Sequence, residues 1–133
     1  MRKLLLAALF AALFSGCSSI KICDVGGHTI AVVENSGWYL FDCIPLASGN
    51  PDNPNGHMCR FFTNTVTLEN NMKLLDEAVK RTGAKGCKDV VSYTTDENVL
   101  IILFGRYYFH TTAELIMPDE TDEAAEPAPS ERR

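Results

Sequence analysis

The densest chemistry in this 133-residue chain is the run His57-Met58-Cys59. Imidazole, thioether and thiolate are soft or borderline donors, a set suited to Cu(I) or Zn(II). Two adjacent strong donors make an incomplete site, and no second Cys/His pair follows at metal-finger spacing. A disulfide at Cys59 would also remove its thiolate. Metal binding or sensing through His57, Met58 and Cys59 is therefore the alternative function and not the leading one. Gly26-Gly27-His28 fails as a phosphate loop, because a phosphate cradle needs a glycine turn that opens a helix, and a β-branched run follows here. His28, His57 and His110 can be paired on paper with serines and aspartates, but no nucleophile-elbow sequence is present. Catalysis ranks third. Trp38, Tyr39, Tyr107, Tyr108 and Phe109 could form an aromatic surface for glycan. Strand aromatics more often serve core and cross-strand packing, and core is the expectation.

The elements that must position these residues follow from periodicity. His28 to Val33 is rich in β-branched residues and predicts a strand. Asn35-Ser36-Gly37 predicts a turn, and Trp38 to Phe41 a second strand, together a hairpin. Pro45 to Gly56 predicts a surface loop, and Arg60-Phe61-Phe62 a short extended piece. Leu68, Met72, Leu75 and Val79 form an apolar stripe at helical period, with Thr67 suited to the N-cap and Gly83 to the residue past the end. Glu69–Lys73, Asp76–Lys80 and Glu77–Arg81 are acid-then-base pairs four apart on the wet face of this helix. Asp89 to Thr94 predicts a strand, Thr95 to Asn98 a turn, and Val99 to Phe104 a last, wholly apolar strand. Both faces of that strand need cover, and one helix can supply only one. Gly105 is expected as a bulge before Tyr107, Tyr108 and Phe109. The predicted fold is α+β, a small mostly antiparallel ββαββ sheet with one amphipathic helix on one face.

The start of the chain has its own logic. Arg2 and Lys3 precede an apolar run from Leu4 to Phe14, too short for a bilayer core that needs ~20 residues. Leu13-Phe14-Ser15-Gly16-Cys17 then resembles the lipobox of bacterial lipoproteins, with Phe14 where the family usually has Leu. The resemblance implies cleavage before Cys17 and a lipid on its sulfur. Together with the periodic elements above and the acidic, proline-containing composition from Pro118 onward, which cannot bury enough apolar surface to order, it divides the chain into a signal peptide (1–16), a lipidated tether (17–27), a single α+β domain (28–117) and an acidic disordered tail (118–133). Ser18 after the cysteine implies, by enterobacterial sorting, the outer membrane. The helix, Gly83-Ala84-Lys85-Gly86 and Val90-Val91-Ser92 also resemble small α+β envelope lipoproteins such as the Rcs stress-sensor lipoprotein and heavy-metal-binding-like domains.

Export makes disulfides the default for Cys23, Cys43, Cys59 and Cys87. Three pairings are possible. Cys43–Cys59 is expected because the two bracket the Pro/Asn/Gly loop, and Cys23–Cys87 follows by elimination. Loss of Arg2 and Lys3 with the leader takes the formal charge from −5 to −7, which disfavours nucleic acid as a partner. No cofactor is implied. The resulting expectation is a lipid-anchored envelope protein, not an enzyme, with a structural or interaction role toward an envelope protein or a second copy. Metal binding is the alternative, and an enzyme acting on an envelope component is third.

Overall fold

The computed structural model describes residues 17–99 and 103–118. The leader, Leu100 to Ile102 and the acidic tail from Asp119 lie outside the described residues. Among the described residues six strands and one helix follow in the order β1 (Ser18–Val25), β2 (His28–Leu40), β3 (Ile44–Gly49), β4 (Cys59–Phe61), α1 (Leu68–Thr82), β5 (Gly86–Val99) and β6 (Phe104–Ile116). Every strand pair is antiparallel, in the order β4-β3-β2-β6-β5. The long β2 carries β6 along one edge and, end to end on the other, β1 and then β3. The α+β class with one helix holds, but four strands and not two precede the helix.

The helix begins and ends where its capping residues dictate. Thr67, in extended conformation, accepts a hydrogen bond at its side chain from Asn70 N (3.2 Å), and Gly83 closes the helix at φ 69°. The three acid-then-base pairs form at 3.1, 2.5 and 3.0 Å. The buried stripe is rotated from the expected one: Asn71, Leu74, Leu75 and Ala78 face inward, while Leu68 is exposed. Leu74, Leu75 and Ala78 pack on Ile20, Ala31, Val33, Ala113 and Leu115. That core occupies one half of one sheet face. Beyond it, the segment Thr63 to Val66 crosses β2 at Gly37, where an added Cβ would meet Val66 Cγ2 at 2.9 Å and Ser48 Cβ at 3.1 Å.

Several expectations are overturned. Residues 17–27 are not a tether: Ser18 to Val25 pairs with β2, and Gly26 and Gly27, both at positive φ, make the hairpin turn. Two glycines supply that geometry without a Cβ penalty. Asn35-Ser36-Gly37 is not a turn but the middle of β2. Asn35 is fully buried, its Oδ1 accepting from Ser18 Oγ (2.8 Å) and its Nδ2 donating to Thr65 O. Thr95 to Asn98 is not a turn either; it continues β5, opposite Tyr108 to Gly105 of β6. Polar residues suit that strand because β5 lies at the sheet edge with most of its side chains in water. Of the expected strand Val99 to Phe104, Val99 ends β5 and Phe104 opens β6, the two paired with each other, and Leu100 to Ile102 lie outside the described residues. Gly105 pairs in regular register, and the irregularity of this hairpin lies between Lys88 and Val91. Gly105 is small because Asp42 lies over it.

The β2–β3 turn has an unusual composition. Cys43 N donates to Leu40 O (3.3 Å), and the two central residues, Phe41 and Asp42, sit at φ 52° and 57°. This is a type I′ geometry that Asn and Gly normally fill. A bulky side chain there costs roughly 1–2 kcal/mol. The Phe41 ring is nevertheless exposed.

The expected loop from Pro45 to Gly56 is also shorter, since Pro45 lies in β3. The rest of that loop folds over the outer edge of β1. Asn55 N donates to Ser18 O (2.7 Å), and its side-chain amide bonds the N–H and C=O of Ile20 at 3.0 and 3.1 Å. One asparagine thus stands in for a neighbouring strand.

Candidate interaction face

Strand alternation sorts the aromatics that composition grouped together. Tyr39 and Tyr107 share the helix side of the sheet, edge to face at 5.2 Å. Tyr39 is buried and its hydroxyl donates to Asn64 Oδ1 (2.6 Å); burial, then the neighbouring Tyr107, raises its pKa. Tyr107 is raised by desolvation and then by Asp42, so both phenols stay protonated donors. They line a cleft of about 290 Å³ with Asp42, Val66, Thr94 and Phe109.

Trp38 and Tyr108 project from the opposite face, which no helix among the described residues covers. Pairing places Trp38 across from Arg106 and Tyr108 across from Thr95. The Arg106 guanidinium lies 4.7 Å from the centre of the Tyr108 ring and 5.4 Å from that of Trp38, a double cation–π contact. Tyr108 stacks near His110 (5.9 Å), which stacks on Tyr93 (4.8 Å). Two carboxylates flank the row. Tyr108 donates to Glu97 (3.0 Å), and His110 Nδ1 lies 3.3 Å from Glu34. Desolvation first, and the Glu97 bond second, raise the Tyr108 pKa. Arg106 Nε is buried without a hydrogen-bond partner, an unusual condition for a guanidinium donor. Thr95 Oγ1, His110 Nε2 and Glu34 fall in the order hydroxyl, imidazole, carboxylate, at 3.1 and 3.3 Å. That is the order of an acyl-transfer relay, here set on a water-facing sheet surface.

The other candidates disperse. His28 sits at the far end of the sheet, bonded to Glu114 (2.7 Å), which also pairs with Lys88 (3.1 Å). His28 first and Lys88 second hold the Glu114 carboxyl below its ordinary pKa. His57 and Met58 are exposed in the loop before β4. Among the described residues no group of three or more His, Cys, Asp or Glu side chains is placed to hold a metal.

The cysteines do not meet. No two of the five cysteines are bridged in this structure. Cys43 precedes β3, whereas Cys59 pairs with Gly49 at its other end. Six strand residues at ~3.3 Å separate them by about 20 Å, against a limit of ~7 Å between the Cα atoms of a disulfide. Cys23 on β1 and Cys87 on β5 are kept apart by β2 and β6. Three strand spacings amount to roughly 14 Å. Neither expected disulfide fits this fold.

Cys17 itself is already part of the domain: its N–H donates to Ser36 Oγ (3.1 Å), and its carbonyl accepts from Ser36 N (2.8 Å). Arg106, Tyr93 and Glu34 were missed by sequence reasoning. Period-2 alternation on β6 from Arg106 to His110 was the signal that could have found the row, once Phe104 was placed in that strand. Comparison of the chain with protein-family models, with curated proteins and with solved structures gives no match.

Proposed function

We propose that this chain is a non-catalytic lipoprotein of the bacterial envelope, held by a lipid on Cys17, that engages a partner through its open sheet face. The observation that carries the interaction role is Arg106. Its guanidinium is held between two π faces, keeps one buried N–H without a partner, and lies outside the helix-covered core. A planar cation so held suits a partner that presents a carboxylate or another anion beside apolar surface.

The leader resemblance supports the anchor, and so does the short path from Cys17 to the first strand residue. Outer-membrane placement rests on Ser18 alone. Ser18 has a second reason for its identity, since it is 2% exposed and its hydroxyl donates to buried Asn35. The sorting argument is weaker for it. Metal binding keeps no more support than the His57-Met58-Cys59 sequence. An enzyme acting on an envelope component has the Thr95–His110–Glu34 order in its favour, and loss of turnover in His110→Gln at unchanged stability would promote it.

Two measurements test the proposal. Intact mass of the protein from its native membrane should show a chain beginning at an acylated Cys17, and a chain retaining Met1 refutes the anchor. A photo-crosslinker at Thr95, on the open face, should capture an envelope component that Arg106→Ala loses. The same crosslinker at Lys73, on the helix, should not. Equal capture from both positions refutes the open face as the binding surface.

A further inference from the structure

We infer that the end of the sheet carrying the β2–β3 turn seats in the lipid bilayer surface. The inference rests on the Cys17 anchor proposed above. Cys17 is hydrogen-bonded into the sheet opposite Ser36, and β1 begins at the next residue. With no tether between lipid and fold, some surface of the domain must lie against the headgroups. Strand direction selects which one. β1 runs antiparallel to β2, so its Cys17 end faces the Leu40 end of β2. Ser36 lies only five residues from Phe41, about 17 Å along the strand.

The exposed side chains at that end suit lipid. Phe41, Ile44 and Leu103 are 56%, 47% and 49% exposed, and Phe41 N donates to Leu103 O (3.0 Å), tying the two hairpin tips together. Phe62, on the β4 side, is 77% exposed. Phe41 and Phe62 both hold positive φ, so two aromatic rings are kept in water at backbone positions unfavourable to them. Strain retained at an exposed residue points to a use for that residue. Of the carboxylates on this half of the sheet, Asp42 turns inward over Gly105 and toward Tyr107, while Asp96 and Glu97 of β5 lie back from the tip, opposite Tyr107 and Arg106, with Glu97 accepting from Tyr108. The opposite end also exposes Val25, Ile116 and Met117, but there they are interleaved with the charged and polar side chains Asp24, His28, Lys88 and Glu114. Aromatic and branched side chains on a short anchor are suited to the boundary ~5–10 Å below the headgroups.

The chain holds a single tryptophan, which makes the test direct. In a Trp38→Phe background, tryptophan is placed singly by Phe41→Trp, Leu103→Trp or Val25→Trp. Each full-length protein is purified in detergent and reconstituted into phosphatidylcholine–phosphatidylglycerol vesicles containing a shallow nitroxide lipid. Emission from the first two should shift to shorter wavelength and be quenched, while Val25→Trp, at the opposite turn, should stay water-like. Agreement between Phe41→Trp and Leu103→Trp guards against misfolding of either. Water-like emission at both tips on a protein whose mass shows an acylated Cys17 overturns the seating and leaves the anchor intact. Equal quenching at Val25 overturns it as well. Quenched tips with a bare Cys17 uphold the seating and refute the anchor; unquenched tips with a bare Cys17 refute both.

Discussion

Asn35→Ala is the sharpest probe of the fold, because a turn residue and a buried strand residue predict opposite outcomes. The side chain is fully buried. Its loss removes the bond from Ser18 Oγ and the bond to Thr65 O, worth about 1 kcal/mol each. Thr65 O keeps the Asn70 side chain and Thr67 N as donors, both at 2.9 Å. Ser18, 2% exposed, has no second acceptor for its hydroxyl proton among the described residues, and an orphaned buried donor adds roughly 1 kcal/mol or more. The total is about 3 kcal/mol. Urea unfolding followed by circular dichroism reads it, with exposed Asn53→Ala as control, expected within ~0.5 kcal/mol of the parent. In a cycle with Ser18→Ala the two changes should couple by about 1 kcal/mol, since each removes the same bond. A loss below ~1 kcal/mol for Asn35→Ala, or strict additivity with Ser18→Ala, refutes the buried node.

Other outcomes follow from the same geometry. Gly37→Ala should destabilise by about 1–3 kcal/mol through overpacking against Val66 and Ser48, whereas at a surface turn it would be nearly neutral; the urea midpoint decides. Glu114 has a depressed pKa, owing first to His28 and then to Lys88. Its contribution is present above the ordinary carboxylate range and is lost as pH falls through the lower folded value, so Glu114→Gln should flatten the loss of stability on acidification. That is read by comparing urea midpoints at neutral and acid pH. Thiol titration of the denatured, acylated protein should find four reactive groups, Cys23, Cys43, Cys59 and Cys87. Two or none would require the elements that carry the bridged pair to be arranged differently.

What could be read before folding was whatever depends on neighbours within a turn or two. The helix was legible in Thr67, Gly83 and the acid-then-base pairs, because caps and i,i+4 pairs are made inside the element itself. Even there, local periodicity misplaced the buried stripe. Asn71 turns inward because Phe109 O and Thr111 Oγ1, some forty positions away, accept from its amide at 2.9 and 3.2 Å.

Strand continuity was decided elsewhere. Asn35 and Ser36 have the composition of a turn and become the middle of β2 only because Ser18, Thr65 and Cys17 supply their hydrogen bonds. Thr95 to Asn98 stays extended because β6 lies beside it, and an edge strand needs no apolar face. The cysteine pairing inferred from loop length failed because β3 is rigid and extended, which puts its two ends about 20 Å apart. Arg106, Trp38, Tyr108 and His110 became one row through cross-strand register, which no single stretch of chain encodes. The sequence by itself determined the helix, its caps and the class of the fold, all of which rest on short-range bonds. Only the tertiary structure decided which polar residues are buried, where the hairpins turn and which aromatics share a face, because those depend on partners brought together by closing long loops.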